Sequence, residues 1–214
     1  MELKAFLFNY GPWIIIAPFL LSVVRYNRLS KALKIITWYL MLSVVTQVVS
    51  LFLWKKSINN LPVLHVFTVL EFLLLFAYYS FQSKPLLTRF WFYGILVLFL
   101  LFALLDAFVL ENLHSFNIYT RSLEAFIFIG YSVHWFIRSL TIESKVVFRE
   151  QNALKYMNAG FFIYFSGSLI LFAFSNYINH LGRPLLMNIW TLHTLLLIVL
   201  YLFILTGFCK INRK

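Results

Sequence analysis

Charged residues are scarce in this chain of 214 residues. They make up 12% of the sequence, and hydrophobic residues make up 62%. A soluble domain averages about 25% charged residues. A soluble core could not bury this much apolar surface, so the composition excludes a soluble globular protein. The chain instead consists almost entirely of apolar runs close to the roughly 20 residues that a membrane-spanning helix needs.

Cysteine and several catalytic motifs are also missing. Cys209 is the only cysteine, which excludes intrachain disulfides and cysteine-rich zinc sites. The sequence contains neither the H-E-x-x-H motif of zinc hydrolases nor the G-x-S-x-G motif of serine hydrolases. The last apolar run has no lysine before Lys210. A retinal pigment needs a lysine within its last helix to form the Schiff base, so this class of protein is excluded as well.

The apolar runs predict an all-α polytopic membrane protein whose single domain covers residues 1–214. We expect seven transmembrane helices, at residues 5–24, 35–54, 63–81, 90–110, 117–139, 157–178 and 185–209. The first and the fifth of these runs are the least uniformly apolar. They are the two whose assignment as membrane spans depends most on the rest of the pattern.

Lysine and arginine predict the orientation. Thirteen of them fall on one side of the predicted membrane: Arg25, Arg28, Lys31, Lys34, Lys84, Arg89, Arg138, Lys145, Arg149, Lys155, Lys210, Arg213 and Lys214. Four fall on the other side, at Lys4, Lys55, Lys56 and Arg183. Cytoplasmic loops carry the excess of positive charge, so we predict an outer N-terminus and a cytoplasmic C-terminus in the inner membrane. Because the basic residues are spread over several short loops, the net charge of +11 does not indicate nucleic-acid binding.

Ionisable side chains inside the predicted helices indicate a site. Charged groups in a membrane interior are energetically unfavourable and usually functional. Arg121 and Glu124 are three residues apart and therefore share a helix face. At about 1.5 Å per residue, several polar residues reach a similar level in the outer half of the bundle. The candidate ligand-binding residues are Gln47, His65, Glu71, Asp106, Arg121, Glu124, Asn188 and His193.

Three interpretations of this polar layer stay open. In the first interpretation, these residues serve only to hold the helices together, since interhelical hydrogen bonds stabilise membrane bundles. Arg121 favours a ligand with a carboxylate or a phosphate, because guanidinium binds both in a bidentate manner. The carboxylates and histidines could alternatively hold a divalent metal ion, which would indicate a metal-dependent intramembrane hydrolase acting on lipid.

A repeated phrase raises a further alternative. Leu70-Glu71 precedes Ala77-Tyr78 at the same spacing at which Leu123-Glu124 precedes Gly130-Tyr131. Internal repeats of helix pairs are typical of transporters. A small transporter is therefore the third candidate function.

The sixth predicted helix contains the segments Asn158-Ala159-Gly160 and Tyr164-Phe165-Ser166-Gly167-Ser168. Trp190 and His193 follow on the seventh helix. Small residues of this kind allow neighbouring helices to approach closely. In these segments the chain resembles a poorly characterised family of bacterial seven-helix membrane proteins, whose relatives also form the membrane portions of sensor kinases. The resemblance implies a sensory or receptor-like role for a pocket that binds a small or lipid-like ligand. No kinase or other output domain precedes Lys214, so we expect any signal to pass to a separate partner.

Overall fold

The computed structural model describes residues 2–82, 86–141, 150–174 and 182–211, and these contain helices and no strand. The all-α prediction is therefore confirmed for this part of the chain. The α-helices are α1 (Glu2–Tyr10), α2 (Ile16–Val24), α3 (Lys31–Lys55), α4 (Leu61–Ser80), α5 (Leu86–Leu105), α6 (Ile118–Thr141), α7 (Gln151–Ala173) and α8 (Arg183–Cys209). Short 3₁₀ turns occupy Gly11–Ile15 and Tyr26–Arg28, and a π-helical turn, Asp106–Leu110, continues α5.

Five helical segments are long and apolar enough to cross a membrane: Lys31–Lys55, Leu61–Ser80, Phe90–Leu110, Gln151–Ala173 and Leu185–Cys209. They coincide with five of the seven predicted spans, although α7 begins at Gln151, six residues before the predicted start. Residues 175–178 of that prediction lie outside the described residues. So do five of the basic residues used to predict the orientation, namely Lys84, Lys145, Arg149, Arg213 and Lys214.

The other two predicted spans are helical but less regular or less apolar. In the first, a 3₁₀ turn with Pro12 near its start separates α1 from α2. Proline has no backbone N–H to donate to the preceding turn, so an α-helix rarely continues through it unchanged. The fifth corresponds to α6, whose apolar character is reduced by Arg121, Glu124 and Arg138.

Local sequence signals explain where the long helices begin. The side chain of Ser30 caps α3 by accepting a hydrogen bond from Leu33 N at 3.5 Å. Pro62 and Pro184 lie in the first turns of α4 and α8. Proline is favoured there, because a first-turn N–H has no partner within the helix.

The chain forms two compact units, the first made of residues 1–21 and 125–214, the second of residues 22–124. In the first unit, α7 packs against α8. A Cβ atom at Gly160 would lie 2.7 Å from Phe203 Cβ, and a Cβ atom at Gly207 would lie 3.0 Å from Ala153 O. The close approach predicted for the small residues of this helix is thus present at Gly160, where a larger residue would force its neighbours to shift.

In the second unit, α4 packs against both α3 and α5. Phe72 on α4 stacks on Phe99 of α5, with ring centroids 3.5 Å apart and an interplanar angle of 6°. Leu33 and Ile36 form the buried face of α3. The same unit also buries polar side chains, among them Glu71, Asp106 and Glu124.

Candidate functional site

Glu71, Arg121 and Glu124 form one buried ionic cluster within the second unit. Arg121 Nη1 donates hydrogen bonds to Glu71 Oε2 and to Glu124 Oε2, the second at 3.0 Å. The side chains of Glu71 and Glu124 are 1% and 0% exposed, and that of Arg121 is 16% exposed. Three of the predicted binding residues are therefore in direct contact, and we call them the acidic cluster.

Two helices supply the acidic cluster, and a third helix contacts it. Glu71 lies on α4, and Arg121 and Glu124 lie one turn apart on α6. The buried Tyr39 of α3 forms a hydrogen bond to Glu71. Phe67, one turn before Glu71, places its ring centroid 5.4 Å from Arg121 Cζ. This ring stabilises the guanidinium through a cation–π interaction.

The acidic cluster contains one cation and two carboxyl groups. Glu71 receives hydrogen bonds from Arg121 and Tyr39, whereas Glu124 receives one from Arg121 through Oε2. The second oxygen, Glu124 Oε1, is buried and has no hydrogen-bond partner in the described part of the chain. A buried carboxylate oxygen without a donor is energetically unfavourable, so the described residues satisfy only one of the two oxygens of Glu124.

Asp106 holds the first turn of α6. Its Oδ2 accepts hydrogen bonds from Thr120 Oγ1 at 2.5 Å and from Thr120 N at 3.3 Å. The first N–H groups of a helix have no partner within the helix, so a carboxylate satisfies them well. Asp106 begins the π-helical turn and is fully buried. It therefore fixes α6 one residue before Arg121.

Glu111 is a second carboxyl group at the same helix start. Its Oε2 accepts a hydrogen bond from Ile118 N at 2.8 Å, and its side chain also interacts with Asp106. Partial burial raises the pKa of Glu111 from 4.5 to about 7, and the neighbouring negative charge of Asp106 contributes to this shift. The helix that contains two of the three residues of the acidic cluster is thus anchored by a carboxyl group whose pKa is about 7.

His65 and Gln47 also lie in the second unit, and their described contacts do not include the acidic cluster. His65 Nε2 is 3.2 Å from Ser115 O, and Asn59 Nδ2 donates to His114 O at 3.0 Å. These two contacts attach the loop before α6 to the start of α4. Gln47 is half-buried on α3.

His193 and Asn188 both belong to the first unit. His193 is surrounded by aromatic rings: its Nε2 lies 3.5 Å from Tyr164 Oη, and its ring centroid lies 5.5 Å from that of Phe172 and 5.9 Å from that of Trp190. Asn188 Oδ1 accepts a hydrogen bond from Lys4 Nζ at 2.9 Å. Their described contacts are therefore with residues of α1, α7 and α8.

Sequence reasoning missed Tyr39, Phe67, Glu111 and Thr120. Tyr39 is one of 12 tyrosines in the chain and Phe67 one of 25 phenylalanines, and no local pattern distinguishes either of them. Thr120 lies in the first turn of α6, where its N–H and its hydroxyl are donors without a signal in the sequence that pairs them with Asp106. Glu111 had a usable signal, since a carboxylate shortly before a helix start is favoured there.

The described residues contain no group of three or more His, Cys, Asp or Glu side chains placed to hold a metal ion. The acidic cluster can instead pair a guanidinium with two carboxyl groups, and it leaves one acceptor open. Comparisons with protein-family models, curated proteins and solved structures find no match for this chain.

Proposed function

We propose that the chain is a multi-pass protein of the inner membrane with seven spans, an outer N-terminus and a cytoplasmic C-terminus. The 24 residues of α6 extend about 36 Å, which exceeds a hydrocarbon thickness of about 30 Å. Residues 2–24 exceed it too, at about 1.5 Å per residue. The charges of α6 are compatible with a span because Arg121 binds Glu124 on the same helix and Glu71 on α4.

The single cysteine makes this orientation testable. Cys209 is exposed at the end of α8, so a membrane-impermeant maleimide should label it only after the cells are permeabilised. In a matched variant, C209S/K56C, the exposed position 56 between α3 and α4 should be labelled in intact cells. Labelling of Cys209 in intact cells would contradict the proposed orientation.

We further propose that the acidic cluster is a ligand-binding site and that the protein has a sensory or receptor-like role. The observation that carries this proposal is the open acceptor, Glu124 Oε1, on a fully buried side chain. Groups that only joined α4 to α6 would be expected to satisfy one another, because leaving one partner of a buried pair incomplete costs several kcal/mol. A ligand that supplies the missing donor or charge would remove that cost.

The receptor-like role follows from the location of this site. The cluster joins α4 to the start of α6, and Asp106 anchors that start. A ligand that alters the pairing of Arg121 would therefore change the packing of two helices. Ligand binding can shift a helix arrangement by its difference in affinity for two states. A separate signalling partner on the cytoplasmic side would detect that change.

Small-molecule mass spectrometry of the protein purified in mild detergent tests the binding proposal. The wild type should retain a compound after size-exclusion chromatography, and Glu71→Gln and Glu124→Gln should lose it while they keep a cooperative thermal transition. Glu150→Gln, at the N-terminus of α7 in the first unit, is the matched control and should retain the compound. If the two cluster variants lose stability and no compound is found in the wild type, the cluster binds no small or lipid-like ligand and the receptor-like role is refuted.

A further inference from the structure

The charge balance of the acidic cluster specifies what its ligand must bring. One guanidinium nitrogen, Arg121 Nη1, serves both Glu71 and Glu124. With both carboxyl groups ionised, the cluster carries one surplus negative charge. Its carboxyl side chains are at most 1% exposed, so solvent does not screen that charge.

A second observation places the surplus on Glu124. Glu71 has two donors, the hydroxyl of Tyr39 and the guanidinium of Arg121. Among the described residues, Arg121 is the one hydrogen-bond donor to Glu124, and Glu124 Oε1 is buried without a hydrogen-bond partner there. The charged and titratable groups that face Glu124 are Glu71 from α4 and Arg121 from its own helix. Neither offers a donor to Oε1.

The surplus negative charge and the unpaired oxygen of Glu124 would both be satisfied by one unit of positive charge at that oxygen. Two carboxylate oxygens on one nitrogen, each at a hydrogen-bond distance of about 3 Å, lie within about 6 Å of each other. Arg121 Nη1 already contacts both of these oxygens, so the ion would bind at the other oxygen of Glu124, Oε1, where the charges of both carboxyl groups attract it. A divalent ion would reverse the sign of the net charge, whereas a monovalent one makes the cluster neutral.

We propose that Glu124 Oε1, together with Glu71, binds a compact monovalent cation, which is a proton or an ion of the size of Na⁺. This inference deepens the proposed function and rests on the acidic cluster being a site. With the cation bound, Arg121 balances one carboxylate and the cation balances the other. Without it, Glu71 and Glu124 repel each other and draw Arg121 in two directions, which weakens the contact between α4 and α6.

Thermal unfolding of the full chain in mild detergent, followed by tryptophan fluorescence, tests the proposal. The wild type and Glu124→Gln are compared between pH 5 and 9 at constant ionic strength, in sodium, potassium or N-methylglucamine chloride. A cation that binds the folded state alone raises its stability with the logarithm of its concentration. We expect the Tm of the wild type to rise with each tenfold increase in the cation, and the Tm of Glu124→Gln to lose this response.

The comparison also separates the two sources of positive charge. A response to sodium at constant pH that Glu124→Gln abolishes identifies the ion. A response to pH alone that Glu124→Gln abolishes identifies the proton. Because Glu111 titrates in both proteins, its contribution cancels in the difference. The proposal is overturned if both proteins respond equally to sodium and to pH.

Two further measurements complete the test. Glu71→Gln also removes the surplus charge and should lose the response, whereas Glu150→Gln should keep it, so the result does not depend on one variant folding. One outcome is that a co-purified compound is lost in both cluster variants, while sodium and pH change the Tm of the wild type and of these variants equally. In that case the proposed function stands and this inference fails. If the cation response is present without any co-purified compound, the inference stands and the receptor-like ligand is refuted.

Discussion

Replacing Arg121 with methionine leaves two buried carboxyl groups without their shared cationic partner. Glu71 and Glu124 are at most 1% exposed, and removal of one partner from a buried ion pair costs about 3–5 kcal/mol. For a chain of about this size each kcal/mol lowers the Tm by roughly 2–4 °C. We therefore expect Arg121→Met to lower the Tm by roughly 6–20 °C.

The companion variants separate charge from packing. Glu124→Gln keeps an acceptor for Arg121 and removes the surplus charge, so its free energy of unfolding should change by less than about 1 kcal/mol. Combining it with Arg121→Met should reduce the cost of losing Arg121 by about 1–3 kcal/mol, as coupled neighbours show. Arg138→Met, in the last turn of the same helix, is the control and should change stability little.

Thermal unfolding in detergent at pH 7, followed by tryptophan fluorescence, measures the four proteins of the double-mutant cycle and the Arg138→Met control. Equal costs of Arg121→Met in the wild-type and Glu124→Gln backgrounds would show that the two side chains do not interact. A loss below about 1 kcal/mol in the wild type would show that the carboxyl groups are not buried together. Either result would refute the description of the acidic cluster as one electrostatic unit.

Two other predictions concern helix packing and pH. Gly160→Ala should destabilise the protein by about 1–3 kcal/mol because its Cβ would overlap Phe203; Gly130→Ala, with no atom within 4 Å of the new Cβ, should be neutral or slightly stabilising, and equal thermal stabilities would contradict close packing at Gly160. Folding raises the pKa of Glu111 from 4.5 to about 7, so the folded state binds this proton more tightly than the unfolded state. The resulting stabilisation is complete below about pH 4.5 and is lost as the pH rises through about 7. Glu111→Gln should flatten the fall in Tm over that range, and an unchanged pH profile would show that Glu111 is not responsible.

The helices could be predicted from the sequence because each depends on its own residues. Runs of Leu, Ile and Phe specify α3, α4, α7 and α8 whatever lies beside them, since a lipid-facing backbone must satisfy its own hydrogen bonds. The interruption at Gly11–Ile15 was missed, although Pro12 was a visible signal for it. The reduced apolar character of α6 was visible in the sequence, whereas the contact of Arg121 with Glu71 on another helix was not.

The acidic cluster could be predicted only in part. Arg121 and Glu124 share a helix face at a spacing of three, and that relation is present in the sequence. Their contact with Glu71 depends on how α4 and α6 are rotated about their axes, which no periodicity in so apolar a sequence specifies. The same holds for Tyr39, whose neighbours on α3 give no sign that its hydroxyl reaches Glu71. The two glutamates of the repeated phrase do meet at one guanidinium, but four matched positions do not reveal such a contact.

The central claim is that the acidic cluster binds a small or lipid-like ligand, in addition to any cation, and does more than join two helices. Quantitative mass spectrometry of the wild type and of Glu124→Gln, purified side by side in mild detergent, tests it most directly. The account predicts a compound near one equivalent per chain in the wild type and its loss in a variant that remains folded. A folded wild type that carries no compound, or equal amounts in both proteins, would contradict it.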